Sequence, residues 1–151
     1  MGSFITNLHL RGAECDTVVA ALQSLRATPA YVCNVADAAW ISIFPESADQ
    51  DMAGLWEFGG GLSRTLQRPV IGFMVHDGAI FFYGLFDNDA EIDRYDPAPA
   101  YFDGRDLEPG GGDVDILKRY CAPATTTMNA KAAKPAKPLD CLKDNDRRRL
   151  R

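Results

Sequence analysis

The adjacent residues His76 and Asp77 are the first candidate for a catalytic site, because their side chains could do chemistry. A histidine beside a carboxylate can act as a general base with a tuned pKa. Adjacent residues on a strand point to opposite faces, however, so Asp77 would not orient the His76 ring. Because Gly78 follows, the pair is typical of a hairpin turn, and we favour that interpretation. A small hydrolase or transferase that uses His76 with Asp77 or the nearby acidic turn remains the alternative.

The acidic composition of residues 87–93 makes this segment a candidate for ion binding. Its polar residues are Asp87, Asn88, Asp89, Glu91 and Asp93. A calcium-binding EF-hand loop needs Gly at its sixth position and Glu at its twelfth, where this chain has Ile92 and Ala98. We therefore predict a solvated hairpin turn and no metal site. His9 is the only other histidine, and two distant histidines give little support for metal binding.

Cys15 is a candidate nucleophile because it precedes a predicted helix start, where a helix N-terminus can lower the pKa of a thiol. No histidine lies near it in the sequence. The four cysteines contain no C-x-x-C pair, and reduced thiols are the expectation. The glycines at 59–61 lack the lysine that a phosphate-binding P-loop needs, so they predict a close packing contact or a kink. We predict no cofactor.

Residues 96–112 are rich in Pro and Gly and are predicted to form a long loop. Three aromatic residues lie on this loop or next to it: Tyr95, Tyr101 and Phe102. Large aromatic side chains on a surface loop either fold back onto the core or anchor a partner. We take these three residues as the candidate partner-binding site, with another protein as the expected partner.

The elements that must position these residues follow from the pattern of apolar residues. Alternation over residues 4–10 predicts a strand, with Thr6 and Leu8 on one face and His9 on the other. The whole chain predicts an α+β fold of order β-α-β-β-α-β-β-β, with a largely antiparallel sheet, two helices on one face and a long Pro/Gly loop. A further short helix is predicted at 113–120, capped by Asp113.

The distribution of charge predicts two regions. Residues 1–120 carry eight Lys/Arg and eighteen Asp/Glu, a net charge of −10, and an acidic body of this kind repels nucleic acid. Residues 1–122 are predicted to form one domain, and residues 123–151 a basic, low-complexity and disordered tail. Such a tail can bind nucleic acid or an anionic surface, and that binding is a second alternative function.

The segments at 68–78, 86–96 and 99–102 resemble a group of uncharacterised bacterial proteins. The pattern of that group reads V-H-D-x-x-x-x-x-x-x-F-x-x-G-x-x-x-D-x-Y-[ND]-S-x-P-x-Y-F, and the resemblance covers roughly residues 1–125. It implies no assigned activity, so no catalytic residue is carried over. Members of the group continue into an apolar C-terminal helix, where this chain has its Lys/Pro/Arg-rich tail. Asp96 and Pro97 stand where the group has Asn or Asp followed by Ser.

These observations favour a small interaction module without a catalytic constellation, of a regulatory or immunity type. No run of about 18 apolar residues is present, so no membrane span is expected. The N-terminus has neither a basic region nor a long apolar stretch, and a cytoplasmic location is the expectation.

Overall fold

The computed structural model describes residues 2–27, 29–34, 40–103, 108–121 and 147–150. Its strands are β1 (Ile5–Arg11), β2 (Ala30–Asn34), β3 (Trp40–Pro45), β4 (Val70–His76), β5 (Ile80–Asp87), β6 (Ala90–Asp96), β7 (Gly110–Gly111) and β8 (Arg147–Leu150). Its helices are α1 (Cys15–Ser24), α2 (Met52–Leu66), α3 (Pro99–Asp103) and α4 (Val114–Cys121), with one 3-10 turn at Glu46–Ala48. In this part of the chain, no helix is long and apolar enough to cross a membrane.

The strands form one eight-stranded sheet in the order β7-β6-β5-β4-β1-β3-β2-β8. Every pair of neighbouring strands among the described residues is antiparallel. β1 lies in the middle of the sheet, between β4 and β3. The predicted α+β class and the order of its first eight elements are confirmed.

The main hydrophobic core lies between the sheet and the two helices α1 and α2. Leu8 and Leu10 of β1 point into it, together with Val18 and Leu22 of α1 and Leu62 of α2. Alternate residues of a strand share a face, while residues three or four apart share the face of a helix. The apolar spacing of these segments therefore places both helices on one side of the sheet, as predicted.

α2 runs without interruption through its three glycines. A Cβ added at Gly59 would lie 2.5 Å from the Phe86 ring, and one added at Gly61 would lie 3.1 Å from Leu25. The glycines therefore allow β5 and α1 to approach the helix closely. This is one of the two arrangements that the sequence left open.

Two tight turns join β4 to β5 and β5 to β6. Asp77 and Gly78 have φ values of 51° and 66°, and Asn88 and Asp89 have φ values of 50° and 72°. Two successive left-handed residues are the signature of a type I′ hairpin turn, for which Asn, Asp and Gly are the preferred residues. The polar residues at these positions bend the backbone, as predicted.

Two regions depart from the sequence predictions. The segment from 96 to 112, predicted as an irregular loop, contains the short helix α3 and the two-residue strand β7. Arg147–Leu150, predicted as part of a disordered tail, forms β8 and pairs with β2. A strand with open hydrogen-bonding groups accepts backbone pairing from almost any sequence, so composition alone did not reveal β8. The rest of the predicted tail, at 123–146 and residue 151, lies outside the described residues.

Candidate functional site

His76 lies at the end of β4, half-buried between two aromatic rings. The ring of Phe4 meets it edge-on at 5.0 Å between centroids, and the ring of Tyr101 meets it at 5.5 Å. Phe4 is 53% exposed and Tyr101 is 60% exposed. We call these three residues the Phe4–His76–Tyr101 cluster.

Gln50 fixes the hydrogen-bonding roles of the His76 ring. Its Nε2 donates to the Val75 carbonyl oxygen at 3.1 Å, so its Oε1 must be the atom that faces His76. That oxygen lies 2.8 Å from His76 Nδ1, and a carbonyl oxygen can only accept. In the neutral ring the proton is therefore on Nδ1, and Nε2 is the acceptor, 3.5 Å from the Tyr101 hydroxyl.

Thr6 holds Gln50 in place. The Gln50 backbone N–H donates to Thr6 Oγ1 at 2.8 Å, and its Nε2 approaches the same oxygen at 3.3 Å. Gln50 has a φ of 56°, an uncommon conformation for a residue other than glycine. Sequence reasoning missed both residues. The available signal was Thr6 itself, a polar residue on the buried face of β1 that required a hydrogen-bond partner.

Asp77 and Cys15, the other two candidate catalytic residues, lie in different places. Asp77 is exposed in the β4–β5 turn, where a Cβ added at Gly2 would collide with its carboxylate. Cys15 lies in the first turn of α1 and packs against the core between the helices and the sheet.

The acidic residues of the β5–β6 hairpin each contact a different partner. Asp89 pairs with Arg64 at 2.7 Å, and Asp93 accepts from the Tyr83 hydroxyl at 2.6 Å. Glu91 accepts from Trp56 Nε1 at 2.6 Å. Asp89 and Glu91 therefore join the hairpin to α2, and Asp93 joins the two strands of the hairpin to each other. Within the described residues, no group of three or more His, Cys, Asp or Glu could hold a metal ion.

Two of the three residues predicted to bind a partner, Tyr95 and Tyr101, have different surroundings. Tyr95 lies on β6 and stacks on Tyr83, with 6.2 Å between ring centroids. Tyr101 projects from α3 beside His76. The Phe102 side chain lies outside the described residues. Tyr95 therefore packs on the sheet, and Tyr101 is the exposed aromatic residue of the pair.

A second candidate surface lies on the side of the sheet opposite α1 and α2. α4 packs over part of this side, with Leu117 and Tyr120 against Tyr83 and Leu85. We call the remainder of this side the open face. It comprises Ile5, Asn7, His9, Arg11, Tyr31, Cys33, Trp40, Ser42, Phe44, Ile71, Phe73, Val75, Phe81 and Tyr83. The register of β2 with β8 places Arg149 opposite Tyr31 and Arg147 opposite Cys33, at the edge of this face.

Strand register aligns the side chains of the open face in rows across the strands. Phe73 pairs with Tyr83, and Val75 pairs with Phe81. Phe73 and Phe81 stack at 5.6 Å with 26° between their planes. Between them and α4 lies a groove of about 480 Å³ that continues, through Ile71 and Phe73, into one of about 290 Å³ beside Trp40.

His9 lies on the open face and faces Ser42 of the neighbouring strand. Its Nδ1 is 3.0 Å from Ser42 Oγ, and its ring meets Phe73 edge-on at 5.4 Å. Burial lowers the pKa of His9, because a partly desolvated site disfavours the charged ring. The backbone N–H groups around this pair belong to strand ladders, so they are not available as oxyanion donors. The pair is a cross-strand contact between β1 and β3.

The chain matches no protein-family model, no curated protein and no solved structure.

Proposed function

We propose that this protein is a non-enzymatic interaction module that binds another protein through the Phe4–His76–Tyr101 cluster. The exposure of Phe4 and Tyr101 on either side of a half-buried His76 carries the proposal. Exposed aromatic side chains in contact with one another are typical of binding hot spots, because they bury large areas at a small cost in side-chain entropy.

The support beneath the cluster favours binding over chemistry. Gln50 accepts from His76 Nδ1, whereas a histidine that acts as a general base is commonly oriented by a carboxylate. The hydrogen bonds from Gln50 to Thr6 and Val75 hold the His76 ring in one orientation. The cluster is therefore preorganised, and less entropy is lost when a partner binds.

The cytoplasm is the compartment that we propose for this activity. Cys33 is a free cysteine on β2, and a reduced thiol is typical of a reducing compartment. A regulatory or immunity-type role is the class of function that fits a small module of this kind.

Site-specific photo-crosslinking tests the proposal. A benzophenone amino acid in place of Tyr101 retains an aromatic ring at the exposed position, and the matched control carries it at Thr65, an exposed position of α2. In lysate of the native host we expect one discrete crosslinked product from position 101 and none from position 65. The product should disappear when Phe4→Ala is added, while the melting temperature stays within a few degrees of the parent value. Equal crosslinking from both positions, or none from either, would contradict the proposal.

A further inference from the structure

The outer edge of β2 is occupied by another strand of the same chain. β8 pairs antiparallel with four of the five residues of β2, and β2 is its one neighbour in the sheet. Residues 122–146 separate β8 from α4. A short edge strand of this kind lies at the low-stability end of a fold. Because backbone N–H and C=O groups do the pairing, an extended segment of another protein can make the same hydrogen bonds.

Strand register leads from β8 to a pocket beside β2. Arg149 lies opposite Tyr31, and Tyr31 lies opposite Phe44 of β3. Tyr31 and Phe44 line a pocket of about 360 Å³ together with Glu46 and Asp49, and we call it the edge pocket. The position opposite Tyr31 therefore adjoins aromatic rings and carboxylates. Aromatic faces attract a guanidinium group, and carboxylates bind it through paired hydrogen bonds.

The charges of β8 and of the domain that it pairs with are opposite. Residues 1–120 carry a net charge of −10, whereas four of the five residues 147–151 are arginine. Arg11, the arginine of the open face itself, lies at the far end of β1 from Ile5, about 20 Å from this part of the edge pocket. The edge pocket therefore favours a cationic strand over a neutral or an acidic one.

We propose that the outer edge of β2 is a strand-addition site for an arginine-rich segment of another protein, and that β8 closes this site when the partner is absent. The partner segment pairs with β2 as a new edge strand and places an arginine opposite Tyr31. A tethered strand such as β8 competes at an effective concentration on the order of 1 mM, so β8 sets the affinity that a partner must exceed. The proposal does not rest on the Phe4–His76–Tyr101 cluster, although Phe4 also lines the edge pocket.

A fluorescent peptide of residues 145–151 tests the site on the full chain, with fluorescence anisotropy as the measurement. The double variant Arg148→Pro with Arg149→Pro opens the site. Alternate residues of a strand face opposite edges, so one of the two prolines removes an N–H group that faces β2. We expect the peptide to bind this opened chain at least about tenfold more tightly than the parent, in which β8 competes. Binding should weaken between about 20 mM and about 500 mM NaCl, because opposite charges attract.

Matched controls separate strand pairing from a general attraction between opposite charges. A peptide that is N-methylated at its second and third arginines keeps every charge but loses backbone donors, and it should bind at least about tenfold more weakly. In the opened chain, Glu46→Gln with Asp49→Asn should weaken peptide binding about tenfold. Glu14→Gln with Glu57→Gln removes two exposed carboxylates outside the edge pocket and should leave binding unchanged. Circular dichroism checks that each variant folds.

A disulfide checks the register. A peptide with Arg147→Cys should crosslink to Cys33, because the two positions are paired and antiparallel pairs hold their Cα atoms about 4.5–5.5 Å apart, within reach of a disulfide. If the opened chain does not fold, this crosslink in the parent chain, with peptide at about 1 mM, decides.

Four outcomes would overturn the proposal. They are no binding to the opened chain, equal binding of the plain and the N-methylated peptide, a crosslink to a cysteine other than Cys33, and an affinity that Glu46→Gln with Asp49→Asn does not change. Dimers of the parent chain that the double proline variant does not form would also overturn it, since the occupant would then be β8 of a second copy.

Discussion

His9 and His76 lie on opposite sides of the sheet, and their surroundings give them different roles. His76 is bonded to Gln50 and bracketed by two aromatic rings. His9 contacts Ser42 and Phe73. The sequence alone placed the two histidines on different strands. It did not predict which side chains would surround each of them.

The lowered pKa of His9 has a consequence for stability. In the unfolded chain its pKa is near the ordinary value of about 6.5, and in the folded protein it is lower. As pH falls below about 6.5, the unfolded chain therefore binds the proton first, and the free energy of unfolding decreases. We expect His9→Gln to reduce this loss between about pH 7.5 and about pH 5.5, above the range in which ordinary carboxylates titrate.

Urea unfolding across that pH range, for the parent chain and for His9→Gln, measures the difference. Comparing the two chains cancels the titration of every other group. Identical slopes in both chains would show that His9 is not the source of the pH dependence.

Some residue-scale features follow from local sequence and some do not. Asp77, Asn88 and Asp89 were predicted as turn residues, because the left-handed region is accessible to Asn, Asp and Gly in short hairpins. The contacts of Gln50 were not predicted. They join it to Thr6 and His76, which lie 44 and 26 residues away, and no local pattern encodes such distances.

At the scale of elements, the packing of α2 against β5 depends on the absence of a side chain at Gly59. In an isolated helix Gly→Ala stabilises by about 0.5–1 kcal/mol. Here the added methyl group would meet the Phe86 ring at 2.5 Å, and overpacking of a core costs about 1–3 kcal/mol. We therefore expect Gly59→Ala to lower the free energy of unfolding by about 1–2 kcal/mol, the difference of these opposing effects.

The matched test is the double variant Gly59→Ala with Phe86→Leu, which removes the ring that the new methyl group would meet. Urea denaturation of the parent, both single variants and the double variant gives the coupling energy. We expect the double variant to lose less stability than the sum of the single variants. Stabilisation by Gly59→Ala alone would contradict this account of the packing.

Elements in which apolar residues recur with a clear period were predictable from the sequence. β1 and α2 show clear alternation or helical spacing, and α4 begins after Asp113, whose Oδ1 accepts from two backbone N–H groups of the first turn, as predicted. α3, β7 and β8 have no more than five residues each. Segments of this length are too short to show a periodic pattern of apolar residues. Their positions depend on tertiary contacts, such as the pairing of Tyr95 with Gly111.

At the scale of the whole molecule, β8 protects an edge of the sheet. It pairs with β2 through four residue pairs, from Ala30 with Leu150 to Cys33 with Arg147. We expect a chain that ends at residue 146 to retain its fold but to expose the outer edge of β2. Its backbone amides should exchange hydrogen faster, because they lose their partner strand.

Hydrogen exchange measured by mass spectrometry tests this prediction. Peptides that cover β2 should exchange faster in the truncated chain, whereas peptides from β5 in the interior of the sheet should not change. A chain that lacks only Arg151 is the control, since it keeps all four residues that pair with β2. Unchanged protection of β2 would show that β8 contributes nothing to that edge.

The central position of β1 bears on how the protein is made. Its neighbours in the sheet are β3 and β4, which follow it in the chain and end at Pro45 and His76. During synthesis the first strand therefore emerges from the ribosome well before either neighbour has emerged. At ordinary translation rates this interval lasts several seconds. Throughout it Leu8 and Leu10 have no completed core to enter, so the nascent chain is most vulnerable to aggregation and to chaperone capture before His76 has emerged.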